Sequence, residues 1–242
     1  MAGGEHVTRA ELLRLLADLV DTTDPGHPTR VAIDGPDAAG KTTLAGELAA
    51  ALRDRGREVL QASIDGFHRP RTERYARGEG SPLGYYADSF DHEALRSLLL
   101  EPLGPGGSRA VRTAVFDFRA DEHVDTPPLD VGRRAVLVFD GVFLLRPELQ
   151  ELWDVRVFVA ASFEETLRRA LARDVELFGS AEAVERRYRA RYIPGQRLYF
   201  AEARPERHAD VVVLNDRPEA PRLTVRRAPR QRAPSGSSPV IS

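Results

Sequence analysis

The stretch Val31-Ala32-Ile33-Asp34-Gly35-Pro36-Asp37-Ala38-Ala39-Gly40-Lys41-Thr42-Thr43-Leu44 decides the fold. An apolar run, a glycine-bracketed loop and a helix opening follow one another without a spacer, and residues 35–42 match G-x-x-x-x-G-K-[ST] in full. Glycines let a backbone wrap close to a polyphosphate, so that its N–H groups and the helix N-terminus face the phosphate oxygens. A chance match in a chain of this composition is expected roughly 0.0005 times. Gly35, Pro36, Asp37, Ala38, Ala39, Gly40, Lys41, Thr42 and Thr43 therefore read as a nucleotide-phosphate loop. In it Lys41 would bridge the β- and γ-phosphates of ATP, and the Thr42 hydroxyl would join the shell of Mg2+.

Composition narrows the setting. The chain has 242 residues, is 42% hydrophobic and 30% charged, and carries a formal net charge of −2, which suits one large α/β domain or two small ones. The absence of cysteine excludes disulfide scaffolds, zinc fingers and thiol catalysis together. No apolar run approaches the roughly 18 residues of a membrane span, and Gly3-Gly4-Glu5 does not begin a signal peptide, so a soluble cytoplasmic protein is expected. Of 35 cationic residues, 34 are arginine and one is lysine, Lys41. A site that needs a compact ammonium is where the planar arginine fork cannot substitute. With no second lysine, a guanine-reading N-K-x-D sequence is excluded.

Outward from the loop, five apolar runs recur at wide intervals: 31–34, 59–65, 135–140, 155–159 and 210–214. They show little alternation, as strands buried on both faces do, and helical patterns separate them. Helices are expected near 9–21, 44–52, 91–100, 147–153, 162–173, 182–191 and 195–203. The fold class is α/β: a P-loop NTPase with a five-stranded parallel sheet flanked by helices, a small acceptor-binding insertion and a lid. Residues 1–27 read as an N-terminal helix and linker, and 28–216 as the nucleotide-binding domain. Within it, 66–134 holds the insertion and one strand candidate, 111–118. Residues 217–242 read as a disordered Arg/Pro-rich tail. That tail carries +5, leaving −7 on residues 1–216, which argues against nucleic acid as the main partner.

The second run ends in Asp65 and the third in Asp140, so both carboxylates emerge at the sheet edge that carries the phosphate loop. Asp140 would join Thr42 as a metal-shell group, while Asp65 would serve as base or orient an attacking hydroxyl. The fourth run leads to a helix with Arg168, Arg169 and Arg173, and arginines on a mobile cap can stabilise charge on a moving phosphoryl group. Tyr75, Tyr85, Tyr86, Phe116 and Phe118 offer rings that could stack on a base.

Taken in order, Gly35 to Thr42, Asp65-Gly66-Phe67-His68, Ser89-Phe90-Asp91, Phe116-Asp117-Phe118, Phe139-Asp140-Gly141-Val142-Phe143, Arg169 to Asp174 and Ala209 to Val213 resemble the uridine kinase branch of the phosphoribulokinase/uridine kinase family of P-loop kinases. The resemblance spans about residues 28–216. It implies transfer of the γ-phosphate of ATP to a small-molecule hydroxyl, in uridine kinases the 5′-hydroxyl of uridine or cytidine. It makes Asp65 the group that takes or orients the hydroxyl proton, Lys41, Arg169 and Arg173 its catalytic companions, and Asp140 a carboxylate near Mg2+ where the family usually has glutamate. Phe67, His68, Tyr85, Tyr86, Phe116, Asp117 and Phe118 are the expected acceptor contacts. The departures lie there: Tyr85 or Tyr86 stands where the family commonly has a ribose-binding aspartate, and Asp121 where it has a base-contacting histidine. The acceptor is thus a nucleoside by resemblance, with pantothenate, a phosphorylated sugar or a nucleoside-like metabolite as alternatives, and an ATP-binding switch as the alternative from another class. The sequence leaves a homo-oligomer open.

Overall fold

The computed structural model describes residues 4–227. Its central sheet contains β1 (Glu5–His6), β2 (Thr29–Asp34), β3 (Val59–Ser63), β4 (Val136–Gly141), β5 (Val155–Ala160), β6 (Val211–Leu214) and β7 (Arg222–Val225), in the spatial order β1-β7-β6-β5-β2-β4-β3. The five expected strands, β2 to β6, form a parallel block. Two antiparallel strands extend it: β7 pairs with β6, and β1 with β7. This edge corrects the expected disordered tail. Arg222-Leu223-Thr224-Val225 alternates, so Leu223 is buried under the sheet and Arg222 faces outward, while Val225, at the end of the strand, stays exposed. Residues 228–242 of that tail lie outside the described residues.

Helices cover both faces. α1 (Arg9–Thr22) and α2 (Lys41–Asp54) lie on one, where Leu12, Leu16, Leu44 and Leu48 meet Val31, Ile33, Val138, Val157 and Val213. The strand residues between these point the other way: Ala32, Leu137, Phe139, Phe158 and Val212 join a second core built from the insertion and the C-terminal helices. That period of two is what lets one strand serve two cores. The other helices of seven residues or more are α3 (Pro82–Asp88), α4 (Phe163–Arg173), α5 (Ala181–Arg187) and α6 (Ile193–Ala203); single helical turns lie at Arg71–Arg74, His92–Leu95, Val175–Phe178 and Pro205–His208. α1 starts with a full capping box, Thr8 with Glu11, and α4 starts under Ser162, whose hydroxyl accepts from the Glu165 amide. Among the described residues no helix is long and apolar enough to cross a membrane.

Several expected elements are shorter. β3 stops at Ser63, because the Ser63 hydroxyl accepts from the Asp65 amide and opens a 3-10 turn over Ile64–Phe67; Asp65 therefore sits on a turn rather than in the strand. The expected strand 111–118 is two ribbons, Ala110–Val111 with Leu129–Asp130 and Phe116–Asp117 with Glu122–His123. Residues 147–153 contain only the 3-10 turn Gln150–Leu152. Two of the expected helices change pitch: π turns follow at Arg96–Leu100 and at Tyr188–Tyr192.

β2 lies between β4 and β5, so the chain crosses to opposite sides from its two neighbours, and a crevice opens at its carboxyl end. The phosphate loop starts there, pressed onto β5. At Gly35, φ is +150° and a Cβ would stand 2.2 Å from the Val159 carbonyl oxygen. Gly35→Ala should therefore lower stability by roughly 1–3 kcal/mol, the usual cost of forced backbone strain, and weaken nucleotide binding. Thermal unfolding with and without ATP checks both.

Candidate active site

The loop needs a charge in its floor, and Lys41 provides it from the first turn of α2. Its side chain is buried, and Nζ donates to the Pro36 carbonyl at 2.7 Å. Burial pushes the ammonium below its ordinary range, while Asp37, Asp34, Asp140 and Asp65 push back, in that order. Asp34, at the end of β2, is fully buried and accepts from the Gly35 amide at 2.7 Å and from the Tyr199 hydroxyl. It thereby ties the start of the loop to α6.

Asp140 ends β4 beside the loop, and Thr42 Oγ1 donates to its Oδ2 at 2.7 Å. Burial raises the Asp140 carboxyl, with Asp65 adding to the rise, while Thr42 and Lys41 lower it. A hydroxyl and a carboxylate are hard oxygen donors suited to Mg2+, and two are enough only for an ion that keeps waters and shares phosphate oxygens. The pair fits that ion in that role.

Asp65 projects from its turn at the mouth of the cleft, with 59% of its side-chain surface still accessible. Loss of hydration against the cleft wall raises its carboxyl, as does Asp37, while Lys41, Arg173 and Arg119 lower it. Solvent moderates that rise. Next to it, His68 lies between Phe90 and Phe118, with ring centroids 4.5 and 4.9 Å away, and its Nδ1 lies 3.0 Å from the Asp65 carbonyl oxygen. Burial holds the imidazole neutral, at a pKa of about 4.

The structure separates the expected acceptor contacts. Phe118, His68 and Asp65 share one wall, whereas Phe67, Tyr86 and Phe116 are core: Phe67 packs against Phe139, Tyr86 against Phe143 under the Arg146 guanidinium, and Phe116 against His123. They are at most 5% exposed, which leaves no ring face for a ligand. Tyr85 is buried too, but its hydroxyl donates to Asp37 Oδ2. Asp117 accepts from the amides of Arg119 and Ala120 and so shapes a turn. Asp121 accepts from the Arg71 amide and from Arg74, locking the two halves of the insertion together.

The lid arginines also part company. Arg169 is placed behind the loop: Nε donates to Glu165, Nη1 reaches the Ala38 and Ala39 carbonyls, and Nη2 reaches those of Asn215 and Asp216. Its donors are spent on pinning the loop, so the expected catalytic contact gives way to a positioning one. Arg173 is 60% exposed, paired with Asp174, and close enough to act on Asp65. Asp174 in turn accepts from the buried Tyr188 hydroxyl at 2.9 Å.

Sequence reasoning missed Tyr199, Tyr188, Asn215, whose Nδ2 holds the Ala39 carbonyl at 2.7 Å, Gln196, whose Nε2 donates to Asp37, and the buried Arg191. Arg191 donates to the carbonyls of Arg74, Gly78, Glu79 and Ser81 and fixes the insertion's first loop. In a chain with 34 arginines, nothing in the sequence marks it.

A phosphate loop at the switch point of a parallel sheet, with two carboxylates at the same edge, is the nucleotide site of a P-loop protein, and membership of a kinase family makes it a P-loop kinase, a phosphotransferase. The profile of the Phosphoribulokinase / Uridine kinase family matches residues 31–213, and the chain belongs to that family. It is 25% identical over 185 residues to a uridine kinase of Chlamydia pneumoniae, covering 76% of this chain and 80% of that protein. To uridine-cytidine kinase B of Dictyostelium discoideum it is 26% identical over 197 residues, covering 80% and 77%. In fold it is similar to a possible uridine kinase from Bacillus stearothermophilus, with TM-score 0.65, 22% identity, and 84% and 97% of the two chains covered. A D-glycerate 3-kinase from Cryptococcus neoformans shares the fold at TM-score 0.58 and 13% identity, with 84% and 94% covered.

The buried imidazoles give a pH prediction. His92 also lies at about 4, through burial and the neighbouring Arg146. From 6.5, the ordinary value, down to about 4, the unfolded chain binds protons at these two sites that the folded chain refuses, so their contribution to stability is lost as pH falls. Asp34, Asp65 and Asp140, with raised carboxyls, act in the opposite direction. An NMR titration should place the His68 and His92 midpoints near 4; a midpoint of 6.5 for His68 would show that its aromatic sandwich does not hold in solution.

Proposed function

We propose that the chain transfers the γ-phosphate of ATP to the 5′-hydroxyl of uridine or cytidine. The observation that carries this reading is the placement of Asp65 at the cleft mouth, beside the loop that presents Lys41 and Thr42 and facing the edge that carries Asp140. The names of the curated relatives supply the nucleoside.

In this reading backbone amides between Asp37 and Thr42 grip the phosphates, the Gly35 amide being held by Asp34, and Lys41 exchanges its bond to the Pro36 carbonyl for phosphate oxygens. Thr42 and Asp140 would hold Mg2+, which would supply neutralising charge for the phosphates. Asp65 accepts the proton of the attacking hydroxyl, a task its raised carboxyl makes easier. Arg173 offers its charge to the moving phosphoryl group, and Arg169 keeps the loop in place from behind.

A second reading keeps the chemistry and changes the acceptor to pantothenate, a sugar or a nucleoside-like metabolite. It is favoured by Tyr85 and Asp121, which stand where the sequence comparison puts ribose and base contacts and are engaged with Asp37, Arg71 and Arg74 instead. ADP release with Mg·ATP and a panel of acceptors separates the readings. Uridine or cytidine should be converted to the monophosphate; turnover with another acceptor alone establishes the second reading, and ADP release indifferent to every acceptor indicates an ATP-binding switch. Two variants test the roles. Lys41→Arg should abolish most transfer, because the fork does not fit a loop shaped around an ammonium. Asp65→Asn should cut kcat by about 10²-fold or more and leave the KM for ATP nearly unchanged; a comparable loss of ATP affinity would assign Asp65 to the metal shell.

A further inference from the structure

A carboxylate in a phosphate loop works against the loop. Backbone amides, a helix N-terminus and Lys41 attract a polyanion, and Asp37, third residue of the loop, repels it unless its charge is turned aside. The structure turns it aside with two buried donors. The Tyr85 hydroxyl on α3 and Gln196 Nε2 on α6 both donate to Asp37 Oδ2, at 2.5 and 2.6 Å. Tyr85 and Gln196 are 6% and 2% exposed. Their own approach is built in: at Gly195 a Cβ would stand 2.7 Å from Tyr85 Cδ1, so only glycine lets the ring lie against α6 at that point.

Both donors fall on one oxygen. Oδ1 has no hydrogen-bond partner among the described residues, and Asp37 is half-buried, so this oxygen is a fixed acceptor left open beside the cleft. Asp37 is also the charge that acts most strongly on both Lys41 and Asp65. With Oδ2 occupied by the clamp from α3 and α6, Oδ1 is the atom that Asp37 can offer to a ligand.

We infer that Asp37 is an acceptor-binding residue: its Oδ1 accepts a hydrogen bond from a second hydroxyl of the substrate while Asp65 handles the first. Asp37 and Asp65 are both carboxylates, while Lys41 is held on the loop floor by the Pro36 carbonyl and Arg173 is paired with Asp174, so the part of the acceptor that lies between the two carboxylates is uncharged. The substrate class is an uncharged polyhydroxyl compound, such as a nucleoside or a sugar, with at least one hydroxyl besides the one phosphorylated. The inference rests on the kinase reading above and narrows its acceptor.

Asp37→Asn is the direct test. The amide oxygen can still accept from Tyr85 and Gln196, which places an NH2 donor where Oδ1 was, and an unchanged Tm verifies that the clamp survives. With the uncharged acceptor that the wild type turns over, KM for the acceptor should rise about tenfold or more, the usual loss for a hydrogen bond to a charged group. KM for ATP should stay within about threefold. A deoxy analogue lacking the partner hydroxyl should show the same KM with both proteins, and Tyr85→Phe should raise the acceptor KM by less than Asp37→Asn. An unchanged acceptor KM, or an equal rise in the KM for ATP, overturns the inference. So does turnover confined to anionic acceptors, or none with any uncharged polyhydroxyl compound. Failure of uridine and cytidine alone strikes the nucleoside reading instead, because a sugar acceptor then serves in the same comparison.

Discussion

One buried ammonium organises the cleft. Lys41 is removed from water in the floor of the phosphate loop and held by a backbone carbonyl, with four aspartates supporting its charge. An isolated buried charge is expensive, and here the cost is met by carboxylates drawn from four separate places: the end of β2, the loop itself, the turn after β3 and the end of β4. Each carboxylate then acquires a second task because it is there. Asp34 anchors the loop's entry, Asp140 meets Thr42, Asp65 faces the cleft mouth, and Asp37 is turned toward the insertion.

The sheet makes this arrangement affordable. Parallel strands bring their carboxyl ends to one edge, so residues distant in sequence arrive at the same crevice without special loops. Rigidity comes from behind, where Arg169 and Asn215 hold the carbonyls of Ala38 and Ala39. The acceptor side is held differently: Arg191 gathers four carbonyls of one loop, and Asp121 bridges two segments of the insertion. Two π turns lie in this half of the molecule, Arg96–Leu100 and Tyr188–Tyr192. The second carries Tyr188, Arg191 and Tyr192, spaced i, i+3 and i+4 on one face, which reach Asp174, the segment 74–81 and Tyr85 of α3.

Reading by pattern succeeded where the signal was local. The loop, its helix, the five parallel strands and the carboxylates that close two apolar runs were all visible, because each depends on neighbours a few residues away; only β3, at the sheet edge, is less buried than its apolar run implied. It failed where a side chain's duty is set by a distant partner. Tyr85, Tyr86, Phe67 and Phe116 look like rings for a ligand until packing encloses them, and Arg169 looks like a lid arginine until its donors are found on loop carbonyls. The strand Arg222–Val225 was lost for another reason: its Arg- and Pro-rich surroundings masked an alternation only four residues long.

The sequence by itself determined the chemistry of one half of this protein. A phosphate loop needs particular residue types at particular spacings, and the only lysine of the chain stands in it. Tertiary structure alone decided the other half: which aromatic rings are core, which arginine pins the loop, and that the aspartate inside the loop is held by Tyr85 and Gln196. The physical reason is the range of the forces. Backbone geometry and periodicity act between near neighbours and are written in order along the chain, whereas burial and hydrogen-bond partnership are settled between residues such as Asp37 and Gln196, which 158 intervening residues separate in sequence and one hydrogen bond joins in space.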